Sequence, residues 1–253
     1  MNVFLTGASS GLGEALARHY ASAGATLGLV ARRGGVLTAL AATLQPACCA
    51  VYAADVRDAG ALKNAADDFL ARFGLPDIVI SNAGISVGTV TEHAGDNANF
   101  RAVFETNVLG MLHTFQPFVS ELKAARQGVL VGIASVAGFR GLPGAEAYSA
   151  SKAAVISYLE SLRVELLASR VSVVTICPGY IATPMTAKNP YAMPFLLSAD
   201  RAAKLVARAV DRRRRFYVLP WQMACIGRVL RILPRPLYDR MFERAPRKPR
   251  AGV

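Results

Sequence analysis

Short apolar runs alternate with longer Ala- and Leu-rich stretches along most of the chain. The apolar runs have few polar positions, as expected of strands buried on both faces of a parallel sheet. The pattern predicts strands at residues 3–5, 26–30, 49–52, 78–80, 128–133, 171–176 and 216–219. It predicts helices at residues 11–23, 36–44, 59–73, 99–123, 148–168 and from 198–200 to 212–215. This alternation indicates an α/β fold, a doubly wound parallel sheet of the Rossmann type in three α/β/α layers.

The composition favours one large domain over residues 1–221, followed by an extension over residues 222–253. A chain of 253 residues with 53% hydrophobic and 18% charged residues can bury a full core. No linker rich in Pro or Ser and no internal repeat interrupts the strand and helix pattern before Trp221.

The first residues of the chain and the spacing of its cysteines predict the cellular compartment of the protein. The first predicted strand starts at Val3, and no apolar run reaches the ~18 residues needed to cross a membrane. Cys48, Cys49, Cys177 and Cys225 show no spacing typical of metal ligands. We therefore expect a cytoplasmic protein with reduced thiols, no signal peptide and no metal site.

A glycine-rich turn, Thr6–Gly13, follows the first predicted strand and leads into a helix. Glycines at such a turn let the backbone approach a pyrophosphate, and the helix N-terminus stabilises its charge. The spacing is Gly-x-x-x-Gly-x-Gly, and a tight turn without a ligand is the other interpretation of these residues alone. The strand, turn and helix context favours a dinucleotide site.

The end of the second predicted strand predicts which dinucleotide is preferred. An acidic residue there would bind the ribose 2′-OH and repel a 2′-phosphate, but the chain has Ala31 followed by Arg32 and Arg33. A guanidinium is a charge-assisted partner for phosphate. The sequence therefore predicts NADP(H) in preference to NAD(H), unless both arginines are only surface charges of a loop.

Tyr148 and Lys152 are four residues apart on a predicted helix and so share one face. An ammonium beside a phenol favours the anionic form of the phenol, which makes an acid and base role possible near neutral pH. Ser135, at the end of a predicted strand, could hold a substrate oxygen. Taken alone, the pair could equally be a tyrosine at a helix start with a solvated lysine one turn on.

Several motifs in order resemble those of the short-chain dehydrogenase/reductase family of NAD(P)-dependent oxidoreductases. The resemblance covers residues 2–185, and Ser81 departs from it where a second asparagine is often found. It implies a cofactor site formed by Gly7, Ser9, Ser10, Gly11, Leu12, Gly13, Arg32, Arg33, Asp55, Val56, Asn82, Ala83, Gly84, Tyr148, Lys152, Pro178, Gly179, Ile181 and Thr183. It implies a catalytic set formed by Asn107, Ser135, Tyr148 and Lys152.

The resemblance also implies a reaction, hydride transfer between the nicotinamide and a carbonyl or alcohol carbon. Tyr148 would exchange the proton and Ser135 would hydrogen-bond the same oxygen. Lys152 would lower the pKa of Tyr148 and bind the nicotinamide ribose, and Asn107 would hold a water that links Lys152 to solvent. Asp55 would contact the adenine and Thr183 the carboxamide. A homodimer or homotetramer is expected.

The segment 180–198, rich in Pro, Met and aromatic residues, is predicted to be a lid over the substrate. Met185, Met193 and Phe139, with Ser135 and Tyr148, are the candidate substrate contacts. They favour a small apolar or lipid-like carbonyl or alcohol substrate, although the same apolar side chains could instead pack against the core.

The positive charge of the chain lies in its last fifth. Residues 1–200 carry 14 Lys+Arg and 14 Asp+Glu, whereas residues 201–253 carry 15 and 3, which accounts for the net charge of +12. Residues 222–253 read as basic amphipathic helices with Ile226, Val229, Leu230 and Leu233 on one side. They either pack on the enzyme body or bind an anionic membrane surface as a peripheral protein. No base-stacking or groove-reading motif supports a nucleic-acid partner.

Two functions of different class follow from these patterns. The first is an NADP-dependent oxidoreductase, which the set of Asn107, Ser135, Tyr148 and Lys152 favours. The second is a cofactor-binding scaffold or redox sensor that acts through its basic C-terminal region. A scaffold has no chemical need for all four residues.

Overall fold

The computed structural model describes residues 1–250, whose nine strands form two parallel sheets. The strands are β1 (Asn2–Thr6), β2 (Thr26–Ala31), β3 (Cys49–Ala53), β4 (Ile78–Ser81), β5 (Val129–Ile133), β6 (Ser172–Pro178), β7 (Ile181–Ala182), β8 (Leu197–Ser198) and β9 (Phe216–Leu219). Seven of them form the main sheet in the order β3-β2-β1-β4-β5-β6-β9, all parallel. The short β7 and β8 pair with each other. The order reverses between β1 and β4, where a crevice opens beyond the strand ends.

The α-helices of residues 1–250 are α1 (Gly11–Ser22), α2 (Gly34–Thr43), α3 (Ala59–Phe73), α4 (Asn97–Phe104), α5 (Gly110–Ala125), α6 (Glu146–Glu165), α7 (Ala199–Asp211), α8 (Trp221–Ile232) and α9 (Arg235–Phe242). Six of them cover the two faces of the main sheet. Buried residues of α1, α2 and α7 share one core with the sheet, and those of α3, α5 and α6 share the other. The predicted doubly wound, three-layer fold is confirmed.

The strands alternate between the two cores residue by residue. Val3 and Leu5 of β1 face the core under α1, whereas Phe4 faces α3 and α5. The Phe4 ring meets Phe69 and Phe118 edge-on, at centroid distances of 5.4 and 4.9 Å. Burying both sides of each strand explains why the strands have almost no polar positions.

The predicted long helix over 99–123 is interrupted in the structure. A π-helical turn, Glu105–Leu109, joins α4 to α5 and places Asn107 in its middle. Such wide turns often occur at functional sites because they displace a residue from the regular helical register. Among residues 1–250, no helix is both long and apolar enough to span a bilayer.

The C-terminal helices lie on the loop after β5. The inner side of α8 has Gly227 against the Phe139 ring, a contact in which any Cβ would lie 2.5 Å from ring carbons. Arg140 donates hydrogen bonds of 3.0 Å to the carbonyls of Leu230 and Leu233 at the end of α8. In α9, the Tyr238 hydroxyl donates to the carbonyl of Gly141. The extension thus packs on the body.

The residues on the predicted apolar side of α8 differ in exposure. Val229 is 55% exposed, whereas Ile226 and Leu230 are half-buried. Position 227, where only a glycine leaves room for Phe139, decides which side of α8 faces the protein. Val229 therefore turns to solvent with Ile232, which is 80% exposed.

Candidate active site

The glycine-rich turn is shaped for close approach by a ligand. Gly7 and Gly11 have φ angles of +69° and +58°, a left-handed conformation that favours glycine. A side chain at Gly13 would collide with the carbonyl oxygen of Gly7. The turn leads directly into α1, so its backbone N–H groups and the helix N-terminus face the same crevice. These features fit a dinucleotide pyrophosphate.

Asn82 holds this turn from the neighbouring strand. Its Nδ2 donates to the carbonyls of Thr6 and Gly7, both at 3.2 Å, and its own N–H donates to the Thr6 hydroxyl at 3.3 Å. These bonds tie the end of β4 to the end of β1, across the point where the strand order reverses. Asn82 therefore shapes the crevice as well as lining it.

One groove of about 340 Å³ is lined by all of the predicted cofactor residues except Gly13. Its lining includes Gly7, Ser9, Ser10, Gly11, Leu12, Arg32, Arg33, Asp55, Val56, Asn82, Ala83, Gly84, Pro178, Gly179, Ile181 and Thr183. Gly13 is not part of the lining because it lies behind the turn, against Gly7. The groove also contains Ser135, Tyr148 and Lys152, so nucleotide and catalytic residues share one space.

The charged side chains at the adenosine end differ in their partners. Arg33 donates to the carbonyl and hydroxyl of Ser9 at 3.1 and 3.0 Å. Asp55 binds Arg57 at 2.7 Å, and the hydrogen bond from Arg57 holds the pKa of Asp55 below its usual value. Arg32, which is exposed, has no hydrogen bond or ion pair with any other side chain within residues 1–250. Its guanidinium is therefore available to a phosphate.

Ser135 and Tyr148 come from the end of β5 and the first turn of α6. The Ser135 hydroxyl caps a short helical turn by accepting the N–H of Ala137 at 3.1 Å, which fixes its position. Burial raises the pKa of Tyr148, and a hydrogen bond with Ser135 opposes that shift. The expectation of a lowered tyrosine pKa is not met in the structure as it stands. A raised pKa keeps the phenol protonated at neutral pH, as a proton donor must be.

Lys152 lies beneath the tyrosine in the protein interior. Only 4% of it is exposed, its Nζ donates to the carbonyl of Ile133 at 2.8 Å, and the same Nζ lies 5.8 Å from the centre of the Tyr148 ring. Burial lowers the pKa of Lys152 to about 8. Cys177 is buried nearby, and burial raises the pKa of its thiol to about 12. The neutral thiol leaves Lys152 without a counter-charge there.

The Asn107 side chain is fully engaged with the protein. Its Oδ1 accepts the N–H of Ile85 at 2.8 Å, and its Nδ2 donates to the Ile85 carbonyl and the Ser151 hydroxyl, both at 3.0 Å. These bonds clamp the loop after β4 against α6. A water held by Asn107 would therefore have to use the main-chain carbonyl in the π-helical turn, and the predicted water link stays a prediction.

The predicted substrate contacts separate into two groups. Ser135, Tyr148 and Met185 line the groove. Phe139 and Met193 do not: Phe139 packs under α8 and stacks on Phe216 at 6.0 Å, while the Met193 sulfur accepts a 3.5 Å hydrogen bond from Asn189. The assignments of Phe139 and Met193 as lining residues are therefore not supported. The predicted lid begins next to β7 and ends at β8, and the pairing of these strands draws its two ends together.

The sequence interpretation missed a C-terminal strap, residues 247–250, beside Tyr148. The Gly88 N–H donates to the Pro249 carbonyl at 3.0 Å, and Arg250 forms an ion pair of 2.8 Å with the buried Asp96. Just before these two attachments along the chain, the Lys248 Nζ donates to the Ser86 hydroxyl at 2.6 Å and lies 5.6 Å from the centre of the Tyr148 ring. A second ammonium group thus approaches the tyrosine.

The surroundings of Lys248 lower its pKa. Burial lowers its pKa to about 8, and no carboxylate within residues 1–250 forms an ion pair with it. Its sequence neighbours are Arg247, Pro249 and Arg250, a pattern typical of a solvated tail. No local signal distinguishes it from those neighbours, because the contacts join residues more than 150 positions apart. Residues 1–250 contain no group of three or more His, Cys, Asp or Glu side chains suited to a metal ion.

Comparisons with known proteins agree with this geometry. The family model described as short chain dehydrogenase matches residues 1–193. An uncharacterized oxidoreductase of Myxococcus xanthus is 38% identical over 237 residues, covering 93% of both chains. A short-chain dehydrogenase/reductase of Burkholderia phymatum in complex with NAD has a TM-score of 0.83 at 25% identity, covering 98% of this chain and 96% of that one. A short-chain dehydrogenase of Sphingobium yanoikuyae in complex with NADPH has a TM-score of 0.80 at 26% identity, covering 90% and 91%. The chain belongs to the short-chain dehydrogenase/reductase family of oxidoreductases.

Proposed function

We propose that the protein is an NADP(H)-dependent reductase of apolar, lipid-like carbonyl compounds, which also oxidises the corresponding alcohols. The observation that carries the proposal is the single groove that joins the nucleotide cradle to Ser135, Tyr148 and Lys152. A carbonyl at the inner end of that groove would meet both a hydroxyl that can hold its oxygen and a phenol that can protonate it.

The reaction divides between the cofactor and the protein. The dihydronicotinamide, when bound, supplies the hydride that the carbonyl carbon accepts. Ser135, held by its bond to Ala137, donates a hydrogen bond to the carbonyl oxygen as negative charge develops there. Tyr148 gives its phenolic proton to the same oxygen, which yields the alcohol and leaves a phenolate. Lys152 stabilises that phenolate with its charge, and solvent returns the proton.

The preference for NADP(H) rests on the end of β2. Ala31 offers no carboxylate to a ribose 2′-OH, and the unpaired Arg32 lines the groove beside it. Arg33 is already bound to Ser9, so Arg32 is the better partner for a 2′-phosphate. In Arg32→Asp we expect NADPH affinity to fall by about tenfold to a hundredfold, with NADH affinity kept or improved. If the variant still prefers NADPH as strongly as wild type, Arg32 does not have this role.

The substrate class rests on apolar side chains of the predicted lid. Met185 lines the groove, and Phe195 and Leu196, further along the same segment, are 46% and 45% exposed. Exposed apolar side chains on a lid favour an apolar ligand that they can cover. A panel that compares long-chain and aromatic ketones with small hydrophilic ones tests this class, and equal kcat/KM values across the panel would contradict it.

The scaffold hypothesis is tested by the same panel. We expect wild-type protein to oxidise NADPH in the presence of at least one apolar carbonyl, and Tyr148→Phe to lose nearly all of that activity while still binding NADPH. The variant removes one hydroxyl and leaves the ring, so its cofactor binding serves as the folding control. If wild type and variant bind NADPH but are equally inactive on every carbonyl, the scaffold hypothesis replaces the enzyme.

We also propose that the protein is a homodimer or homotetramer. Phe100 of α4, Leu109 of the π-helical turn and Leu112 of α5 are 38–46% exposed. Apolar residues grouped in this way on a helix surface are typical of contacts between subunits. Light scattering of wild type and Leu112→Glu tests the proposal, because a charge in the interface should reduce the mass. A monomeric wild type would refute it.

A further inference from the structure

The outer faces of α8 and α9 expose large apolar side chains. The exposed fractions are 71% for Trp221, 55% for Val229, 80% for Ile232, 49% for Leu237 and 60% for Met241. Trp221, Val229 and Ile232 lie at spacings of eight and three residues, which places them on one side of α8. We call these five residues the outer apolar face.

The rest of the protein contacts the sides of α8 and α9 opposite the outer apolar face. The inner sides of both helices are already docked, α8 through Gly227 against Phe139 and α9 through Tyr238 against Gly141. Arg140 reinforces both contacts, since it donates to carbonyls of α8 and stacks 4.2 Å over the Tyr238 ring. Because both inner sides rest on residues 139–141, both outer sides turn away from the body.

Basic side chains surround the outer apolar face. Arg228, Arg231, Arg235, Arg240 and Arg244 are all exposed. Within residues 1–250 none of the five forms an ion pair with a carboxylate. Arg231 also lies 5.2 Å over the Phe139 ring on the inner side of α8, and the exposed Asp239 and Glu243 reduce the charge of this segment from +5 to +3. The segment therefore combines exposed apolar groups with a net positive charge.

We propose that α8 and α9 dock the protein on the surface of an anionic lipid bilayer. The outer apolar face would enter the boundary between headgroups and acyl chains, and the arginines would bind the lipid phosphates and carboxylates. The 12 residues of α8 extend only ~18 Å, well short of the ~30 Å of a hydrocarbon core, so the helix lies in the membrane plane. The proposal concerns binding and does not depend on the proposed reaction.

Charge distinguishes the bilayer from a second copy of the chain as the occupant. Two identical segments meeting each other would bring together two surfaces that each carry a net charge of +3, five arginines less Asp239 and Glu243, and like charges placed across an interface oppose association. An anionic lipid surface has the complementary charge and also accepts the apolar side chains. The bilayer is thus the occupant that satisfies both properties of the face.

Trp221 makes the test direct, because it is the only tryptophan of the chain and lies in the outer apolar face. Full-length protein is mixed with phosphatidylcholine vesicles that contain or lack phosphatidylserine. We expect Trp221 emission to move to shorter wavelength only with phosphatidylserine, to be quenched by brominated acyl chains, and to return as salt is added.

Substitutions in and outside the face give the matched control. Val229→Glu should weaken binding to phosphatidylserine vesicles by about tenfold or more, because an apolar contact is lost and an acidic group faces anionic lipid. Leu167→Glu makes the same kind of change at an equal exposure of 55%, but just beyond α6, and should bind as wild type does. NADPH binding by both variants confirms that they are folded.

Three results would overturn the proposal. The first is an emission spectrum of wild type that does not respond to phosphatidylserine. The second is equal vesicle binding by wild type and Val229→Glu. The third is a fall in molecular mass in Val229→Glu without a change in vesicle binding, which would assign the face to contacts between copies of the chain.

Discussion

Lys248 is predicted to control the proton affinity of Tyr148, which Lys248→Met would test. The ammonium lies 5.6 Å from the ring centre, and two unit charges at about that separation attract by about 3 kcal/mol at an effective dielectric constant of 20. The side chain is partly exposed, and solvent screening reduces this to roughly 1 to 1.5 kcal/mol. That energy corresponds to about one pKa unit. Losing the charge should therefore raise the pKa of Tyr148 by about one unit.

The effect should depend on direction and on pH. Oxidation of an alcohol needs the phenolate as base, so its kcat/KM should fall about tenfold near pH 7 in Lys248→Met, while reduction should change little. Burial lowers the pKa of Lys248 to about 8, so its charge is present below that pH and is lost above it. Wild type and Lys248→Met should therefore differ below pH 8 and converge above it.

Lys248→Arg is the matched control, because a guanidinium keeps its charge at all these pH values. Its profile should follow wild type below pH 8 and exceed it above. The difference in ultraviolet absorbance between each protein and its Tyr148→Phe counterpart titrates the phenol directly, without a substrate. A Lys248→Met profile that coincides with wild type at pH 7, or that is lower by the same factor on both sides of pH 8, would refute the electrostatic role.

Three further predictions concern the cradle, the strap and the docking of α8. Gly13→Ala should abolish NADPH binding because its Cβ would meet the Gly7 carbonyl, whereas Gly35→Ala, which has open space, should bind normally in the same titration. Arg250 holds the pKa of Asp96 below its usual value, so the strap attachment is present at neutral pH and lost as pH falls through that lowered value. The protection of the Gly88 amide, which donates to the Pro249 carbonyl, should thus fall on acidification once each rate is divided by the intrinsic exchange rate at that pH, and Arg250→Gln should lower it already at pH 7. Gly227→Val should lower the free energy of unfolding in urea by about 1–3 kcal/mol, because the new side chain overlaps Phe139; an unchanged midpoint would contradict this contact.

The sequence predicted those parts of the fold and site that depend on local order. Strands buried on both faces must be apolar, so their positions are visible along the chain. The ends of parallel strands meet at one edge, so the turn at Gly7, Asn82 after β4 and Ser135 after β5 could be assigned to one crevice before the structure was known. Tyr148 and Lys152 are one helical turn apart, so the sequence already predicts that they lie on the same face of the helix.

Features that depend on long-range contacts could not be predicted in the same way. Val229 faces outward because Gly227, which has no side chain, packs directly against the Phe139 ring. Hydrophobic periodicity does not predict this contact. The amino-acid composition of the π-helical turn at Asn107 does not distinguish it from the helices on either side. The place of Lys248 is set by Ser86 and Gly88, far away in the chain, and the local sequence does not distinguish this half-buried lysine from the other basic residues around it.

The C-terminal extension contacts the catalytic groove at two places, through Met223 of α8 and through Lys248 of the strap. On the inner side of α8, Met223 lies against Gly179, which lines the groove, and so α8 cannot shift without disturbing the wall beside the nicotinamide end. Beyond α9 the same chain continues into the strap that carries Lys248 to Tyr148. A membrane that held the outer faces of these helices would therefore act on the position of both contacts. In the proposed docking, carbonyl compounds dissolved in the bilayer would lie close to the helix that contacts the groove at Gly179, in agreement with the proposed apolar substrates.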